Sequence, residues 1–259
     1  MRIALGLEYC GIGFCGWQSQ KQGCGVQDVL AAALSTVACE RISVTAAGRT
    51  DTGVHAALQV VHFDTAARRP LTAWVRGVNS HLPAGVAVLW AREVSDEFHA
   101  RFAASQRGYR YVLLNHPVRA GLNHGLVGWY HRPLDAAAMN LAAMQLIGWH
   151  DFSAFRAAAC QAKSPLKELR FAQVERRGDY LLFDFRANGF LHHMVRNLMG
   201  CLIQIGAGAQ SPAWLHELLI SRDRALAAPT FDAAGLYLTH IRYPAHFGLP
   251  ETSDRWLFA

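Results

Sequence analysis

The sequence predicts a mixed α+β fold built as two halves of similar plan. Three observations predict it. Short strand-like runs alternate with segments of helical periodicity, a polar break at residues 103–108 separates two stretches of the same kind, and an apolar fraction of 52% over 259 residues is enough for a proper core.

In the first half RIALGLEY, RISVTAA, LQVVHFD and GVAVLWAREV read as strands, and VQDVLAAALSTVA repeats apolar residues at Val26, Leu30, Leu34 and Val37. After the break AASQRG, four more strands follow: GYRYVLLN, LRFAQVERR, DYLLFDFRA and GLYLTHIRY, with a glycine-containing turn between Arg176 and Tyr180. Three helices are clear in this half. LDAAAMNLAAMQLIG opens on Asp135 as an N-cap, FLHHMVRNLMGCLIQIG sets Met194, Leu198, Leu202 and Ile205 on one face, and SPAWLHELLI has Ser211 and Pro212 in the cap and first-turn positions. The pattern predicts antiparallel sheets backed by helices, with an N-terminal half of residues 1–104 and a C-terminal half of residues 105–259.

The chain carries a net charge of +6, and Arg supplies 22 of its 25 basic residues. Guanidinium groups favour planar, two-pronged contacts to phosphate and stacking on bases, so nucleic acid is a plausible partner. The six cysteines show no C-x-x-C spacing, and MRIALGLEY is too short to be a secretory run, which predicts reduced thiols and a cytoplasmic home. No apolar stretch reaches the roughly 18 residues of a membrane span.

AGRTDTGVHA, residues 47–56, is the stretch richest in chemistry. Asp51-Thr52-Gly53 spells an aspartic-protease signature, but that chemistry needs a second carboxylate loop, which the chain lacks. GIGFCG, residues 11–16, matches a dinucleotide fingerprint, yet WQSQKQGCG follows where a helix should begin, so it reads as a glycine-rich turn beside a binding cleft. His192 and His193 are adjacent and lack a partner at i+4, so metal is not expected.

GRTDTGVHA, FHARF at 98–102, GYRYVLLN at 108–115 and HHMVRN at 192–197 together resemble the tRNA pseudouridine synthase A family. The likeness extends from LGLEYCGIGFCGWQSQ through VNSHLP and DFSAFRAAACQAKSPLK to GLYLTHIRYP, in the family's order. It implies an α+β fold of two ferredoxin-like halves sharing a continuous antiparallel sheet, with flanking helices and a central basic cleft. It also implies a homodimer and an isomerase that converts uridines 38, 39 and 40 of the tRNA anticodon stem-loop to pseudouridine, without metal or organic cofactor. Thr52 stands where alanine is common in the family, and Gly108 where a basic residue is usual.

Carried over residue by residue, the resemblance makes Asp51 the central catalytic group, Arg196 the guanidinium that faces it, and Arg49 the residue that assists base flipping. Tyr109 is then the tyrosine that stacks on the everted base. Arg69, Arg101 and Arg110 are phosphate contacts, with Arg107 beside them. Phe98, His99, Ala100, Arg101 and Phe102, together with Cys160, Gln161, Ala162 and Lys163, fall in RNA-contacting stretches. A non-catalytic RNA-binding protein of the same fold is the alternative from another class, and a nucleotide-cofactor oxidoreductase built on GIGFCG is a third; the intact pair Asp51 and Arg196 favours the enzyme.

Overall fold

The architecture follows from where backbone hydrogen bonds are satisfied. A computed structural model describes residues 1–250. The chain divides into two units: Met1–Gln106 together with the segment from Tyr237 onward, and Arg107–Leu236.

The first unit opens with β1 (Arg2–Tyr9), α1 (Val26–Ala38), β2 (Thr45–Ala46), β3 (His55–Asp64), a π-helical turn at Ala73–Gly77, and β4 (Val86–Val94). β1 lies between β3 and β4 and is antiparallel to both, while β2 is antiparallel to β3. The order β4-β1-β3-β2, with helical segments after β1 and β3, is a ferredoxin-like arrangement. Both faces of β1 are covered: Ile3, Leu5 and Leu7 are fully buried, and Gly6 leaves room for the Trp90 indole, since a Cβ there would lie 2.2 Å from the ring. In α1, Val26, Leu30 and Leu34 face the core, as their spacing predicts. Trp74 of the π-helical turn is buried edge-on against Phe63, with ring centroids 5.2 Å apart.

RISVTAA forms less strand than its composition predicts. The backbone N–H of Ile42 donates to Ser35 Oγ (2.9 Å) and the carbonyl of Val44 accepts from Gln27 Nε2 (3.1 Å). Side chains of α1 thus satisfy groups that a neighbouring strand would otherwise pair, and only Thr45 and Ala46 join the ladder.

The second unit contains β5 (Gln106–Asn115), β6 (Gly128–Tyr130), α2 (Ala136–Met144), β7 (Gly148–Asp151), β8 (Leu166–Arg177), β9 (Tyr180–Ala187), α3 (Met194–Gly206) and α4 (Pro212–Ser221). β9 is antiparallel to β5 and β8, β7 is antiparallel to β8, and β6 adds in parallel to the end of β5. The β8–β9 hairpin turns at Gly178, whose φ of +58° lies in the left-handed region. Asp135 caps α2 by accepting from the N–H groups of Ala137 and Ala138, and α2 packs on β8, α3 and α4. α3 begins at Met194, later than its apolar run predicts, because His193 at φ +60° interrupts the helix.

The last strand among the described residues, β10 (Leu236–Arg242), pairs in parallel with β3 through Tyr237–His55 and Leu238–Ala56. β2 and β10 therefore occupy one edge of β3, β2 at Val61 and His62 and β10 at His55 and Ala56. The segment carrying Asp51 connects β2 to β3. Among the described residues, no helix is long and apolar enough to cross a membrane.

Candidate functional site

In the first unit the connection from Ala47 to Val54 is fixed by hydrogen bonds from several elements. Ala47 N–H donates to the Val60 carbonyl (2.8 Å), and Gln59 Nε2, wholly buried, donates to the Gly48 carbonyl (2.8 Å). Thr50 is the buried anchor of the turn: its Oγ1 lies 2.8 Å from Tyr9 Oη, and its carbonyl accepts from Trp17 N–H at 3.0 Å. Val54 N–H closes the turn on the Asp51 carbonyl (3.1 Å), with Gly53 at φ +77°. The burial sequence is Arg49 exposed, Thr50 buried and Asp51 half-buried. Alternation along an extended segment therefore sends Arg49 and Asp51 to one side while Thr50 ties the backbone down.

The wall behind this turn is the loop between β1 and α1, the segment that holds GIGFCG. Gly16, at φ +92°, packs so closely that a Cβ would lie 2.7 Å from the Thr50 carbonyl oxygen and 3.1 Å from both Asp51 C and Thr52 N. Gly11 N–H donates to His55 Nδ1 (3.0 Å), and the His55 ring stacks on Tyr237 at 4.6 Å. Trp17 is only 2% exposed and lies against Tyr9. The expectation of six reduced thiols is corrected here. Cys15 and Cys24 are joined by a disulfide, while Cys10, Cys39, Cys160 and Cys201 are free. Their nine-residue separation matches no motif, and the two glycines at positive φ between them, Gly16 and Gly23, bend the segment so that the two cysteines meet.

FHARF folds as an exposed turn anchored by its first and third residues. Phe98 and Ala100 are fully buried; Phe98 packs on Tyr243 and Phe247, and the Ala100 carbonyl accepts from Tyr243 Oη (2.7 Å). His99 Nδ1 accepts the N–H groups of Arg101 and Phe102, both at 3.2 Å. A column of rings results: buried His62 lies 4.9 Å from His99, and His99 stacks at 4.3 Å on Phe102, which is 77% exposed. The Arg101 guanidinium sits 5.8 Å from the Phe102 ring centre. Burial, assisted by the charges of Arg2 and His99, lowers the His62 pKa to about 4, so this imidazole is neutral near pH 7 and accepts the Ala100 N–H.

Arg69, read as a phosphate contact, is exposed and turned to the end of α1, where Nε donates to the Val37 carbonyl (3.2 Å) and Nη2 to Cys39 Sγ (3.6 Å). A cation there complements the negative end of the helix dipole.

In the second unit Tyr109 is half-buried on β5 opposite Phe185, its ring edge-on to Phe190 at 5.0 Å. The next residue, Arg110, makes a two-pronged ion pair with Asp184 on β9, at 2.8 and 3.0 Å. Arg107 Nη1 donates to the Asn188 carbonyl (3.2 Å). Arg196 is half-buried in the first turn of α3, between the fully buried Met194 and Leu198. It is tied to Phe231 twice: Nε donates to the Phe231 carbonyl (2.9 Å), and the Arg196 carbonyl accepts from Phe231 N–H (3.1 Å).

The Cys160–Lys163 stretch is shaped by Arg156, a residue the sequence reading did not single out. Its Nη2 donates to the carbonyls of Cys160 (2.8 Å) and Ala162 (2.9 Å). Burial pushes the Cys160 thiol up, but the N–H groups of Ala162 and His192 and the nearby guanidinium outweigh it, and its pKa is lowered. Gln161 and Lys163 point into solvent. Sequence spacing gives no clue to Arg156, because its carbonyl partners lie four and six residues ahead in an irregular loop.

Comparison with known proteins matches the sequence to a family. A family model described as tRNA pseudouridine synthase matches residues 6–103 and 142–244. A tRNA pseudouridine synthase A from Thiobacillus denitrificans is 78% identical over 259 residues, covering 100% of both chains. Relatives of the same description are 59% identical over 257 residues in Dechloromonas aromatica (99% of this chain, 98% of that one) and 60% identical over 255 residues in Chromobacterium violaceum (98% and 97%). With the fold, the GRTD turn and the full-length likeness in agreement, the chain belongs to the tRNA pseudouridine synthase family, which isomerises uridine to pseudouridine in tRNA.

Proposed function

We propose that the chain isomerises uridines 38, 39 and 40 in the anticodon stem-loop of tRNA, with Asp51 as the central catalytic group. The observation that carries this reading is the Asp51 turn itself. Tyr9 holds the Thr50 hydroxyl, Trp17 the Thr50 carbonyl and Gln59 the Gly48 carbonyl, while Asp51 remains half-exposed, so the acid is carried on a fixed backbone yet open to a nucleoside.

The reaction breaks the C1′–N1 bond, turns the uracil and joins C5 to C1′; C5 gives up a proton and N1 regains one, with no net redox change. A single carboxylate serves each of three routes: attack at C1′, addition to the base, or removal of a sugar proton. A uridine in a stem must leave the stack before any of them, and its eversion is the task assigned to Arg49, exposed on the same side of the turn as Asp51. Tyr109 stacks on the everted base. Arg196 is the guanidinium assigned to Asp51; its support is the HHMVRN resemblance and the anchoring of its Nε on Phe231.

On this reading residues 1–104 carry the aspartate turn. Residues 105–259, of which 251–259 lie outside the described residues, carry the tyrosine and the arginine. The working unit is a cytoplasmic homodimer, and Arg69, Arg101, Arg110, FHARF and the Cys160–Lys163 stretch contact RNA.

Asp51→Asn tests the central assignment. The variant should bind unmodified tRNA with wild-type affinity and form no pseudouridine in a single-turnover assay mapped across the anticodon arm. Pseudouridine at the wild-type rate would remove Asp51 from the chemistry.

A further inference from the structure

The Cys15–Cys24 bond serves no step of the isomerisation, yet it closes the loop that backs the aspartate turn. The two residues between which the turn is supported lie inside the clasp. Gly16 meets the backbone of Thr50, Asp51 and Thr52, and Trp17 N–H donates to the Thr50 carbonyl at 3.0 Å. The base of the clasp is reinforced by Cys15 N–H donating to the Cys24 carbonyl (2.9 Å), and Gln20 Nε2 caps the Cys15 carbonyl at 2.9 Å. Just beyond Cys24, Gly25 N–H donates to Asp28 at the start of α1, and Val26 N–H donates to the Gly16 carbonyl. The clasp is thus continuous, through short hydrogen-bonded steps, with α1 on one side and the Thr50–Asp51 turn on the other.

Both cysteines are half-exposed, which leaves the sulfurs open to exchange with other thiols. The span they close is rich in glycine. Gly16 and Gly23 within it hold positive φ, and without a cross-link such a segment has more backbone states to explore than one with side chains.

We propose that Cys15 and Cys24 form a redox modification site, open to low-molecular-weight thiols and disulfides of the glutathione class, whose oxidation state sets the order of the Thr50–Asp51 turn. In oxidation one thiolate attacks the sulfur of the small disulfide and releases a thiol. The second cysteine then attacks the mixed disulfide, the Cys15–Cys24 bond forms, and a second small thiol leaves. The two cysteines give up two protons and two electrons, and the small disulfide becomes two thiols. Reduction by a dithiol reverses both exchanges. Oxidised, the clasp holds Gly16 and Trp17 against Thr50; reduced, the loop from Gly11 to Gly25 gains freedom and the turn loses its wall. The expected effect on turnover rests on the assignment of Asp51 as the catalytic group, whereas the effect on loop order does not.

The test uses the full chain equilibrated with oxidised glutathione or with dithiothreitol, then alkylated and mapped by peptide mass. Cys15 and Cys24 should be linked to each other in the first condition and alkylated in the second, with exposed Cys39 carrying glutathione or alkyl but linked to neither. Amide exchange of peptides covering residues 11–25 and 48–54 should quicken about tenfold on reduction, and single-turnover pseudouridine formation should fall by a similar factor and recover on reoxidation. A Cys15→Ser, Cys24→Ser double variant should sit at the reduced level in both buffers, which separates this pair from the thiol of Cys160. Separate alkylation of Cys15 and Cys24 after oxidation would overturn the site. Equal exchange of residues 48–54 in the two states would overturn the coupling. Exchange that responds while turnover does not would uphold the clasp and count against Asp51 alone.

Discussion

Replacing Gly16 with alanine introduces one methyl group, and its cost divides into two parts. The first is conformational: at φ +92° a residue with a Cβ is strained by about 1–2 kcal/mol, offset by about 0.4–1 kcal/mol because alanine has fewer unfolded states than glycine. The second is steric. The new Cβ would stand 2.7 Å from the Thr50 carbonyl oxygen and 3.1 Å from Asp51 C, both backbone atoms with no flexible end to swing away. Overpacking of this kind costs about 1–3 kcal/mol more and moves the turn by several tenths of an ångström. With Asp51 as the proposed reacting group, such a shift lowers the rate, toward the loss of about 100-fold that a misplacement of about 1 Å causes. Gly13→Ala is the matched control, since Gly13 has φ +82° and nothing within 4 Å of a built Cβ. Urea denaturation should show Gly16→Ala destabilised by about 2–4 kcal/mol and Gly13→Ala by about 1 kcal/mol, and single-turnover pseudouridine formation should drop only in Gly16→Ala. Equal rates in the two variants would refute the claim that Gly16 sets the position of the aspartate.

Acid should weaken the fold through His62. Its folded pKa is about 4 against an ordinary 6.5, so below pH 6.5 the unfolded chain binds the proton more readily and stability falls as pH drops, by about 2 kcal/mol between pH 7 and pH 5. His62→Asn should flatten the pH dependence of the urea midpoint in that window; Asp64, whose pairing with Arg2 lowers its pKa, contributes only at lower pH. Phe102→Ala should leave folding intact and weaken tRNA binding in a filter assay by about 1–3 kcal/mol, the loss of one base–aromatic stack; an unchanged Kd would take the ring column out of RNA recognition. Arg196→Lys should bind tRNA yet turn over slowly, because an ammonium cannot reproduce both the Nε contact to Phe231 and a planar fork; near-normal single-turnover rates would oppose its role.

Short-range chemistry was legible in the sequence. α1 follows the apolar spacing from Val26 to Leu34, α2 starts where Asp135 caps it, and the β8–β9 hairpin turns on Gly178. Long-range chemistry was not. The shortness of β2 depends on Ser35 and Gln27 reaching back from α1, and no propensity encodes that. The GRTD motif singled out Asp51, but the burial of Thr50 that orients it comes from Tyr9 and Trp17, each more than thirty positions away in sequence. The column of His62, His99 and Phe102 joins a strand to a later turn, and each ring read alone is unremarkable. The Cys15–Cys24 pairing was not legible because spacing identifies ligands and redox motifs, whereas the approach of the two cysteines depends on Gly16 and Gly23 bending the segment between them. Arg69 and Arg110 were read as phosphate contacts, and their engagement with the end of α1 and with Asp184 is a matter of tertiary placement that the sequence does not encode.

The pairing of β10 with β3 ties Ala56 to Leu238. A ribosome that has just released the β3 segment must still add the whole second unit before the partner strand emerges, a delay on the order of ten seconds or more at common elongation rates. Until then the edge of β3 beside His55, adjacent to the Asp51 turn, stays open in the nascent protein, and the support of that turn is complete only when β10 arrives.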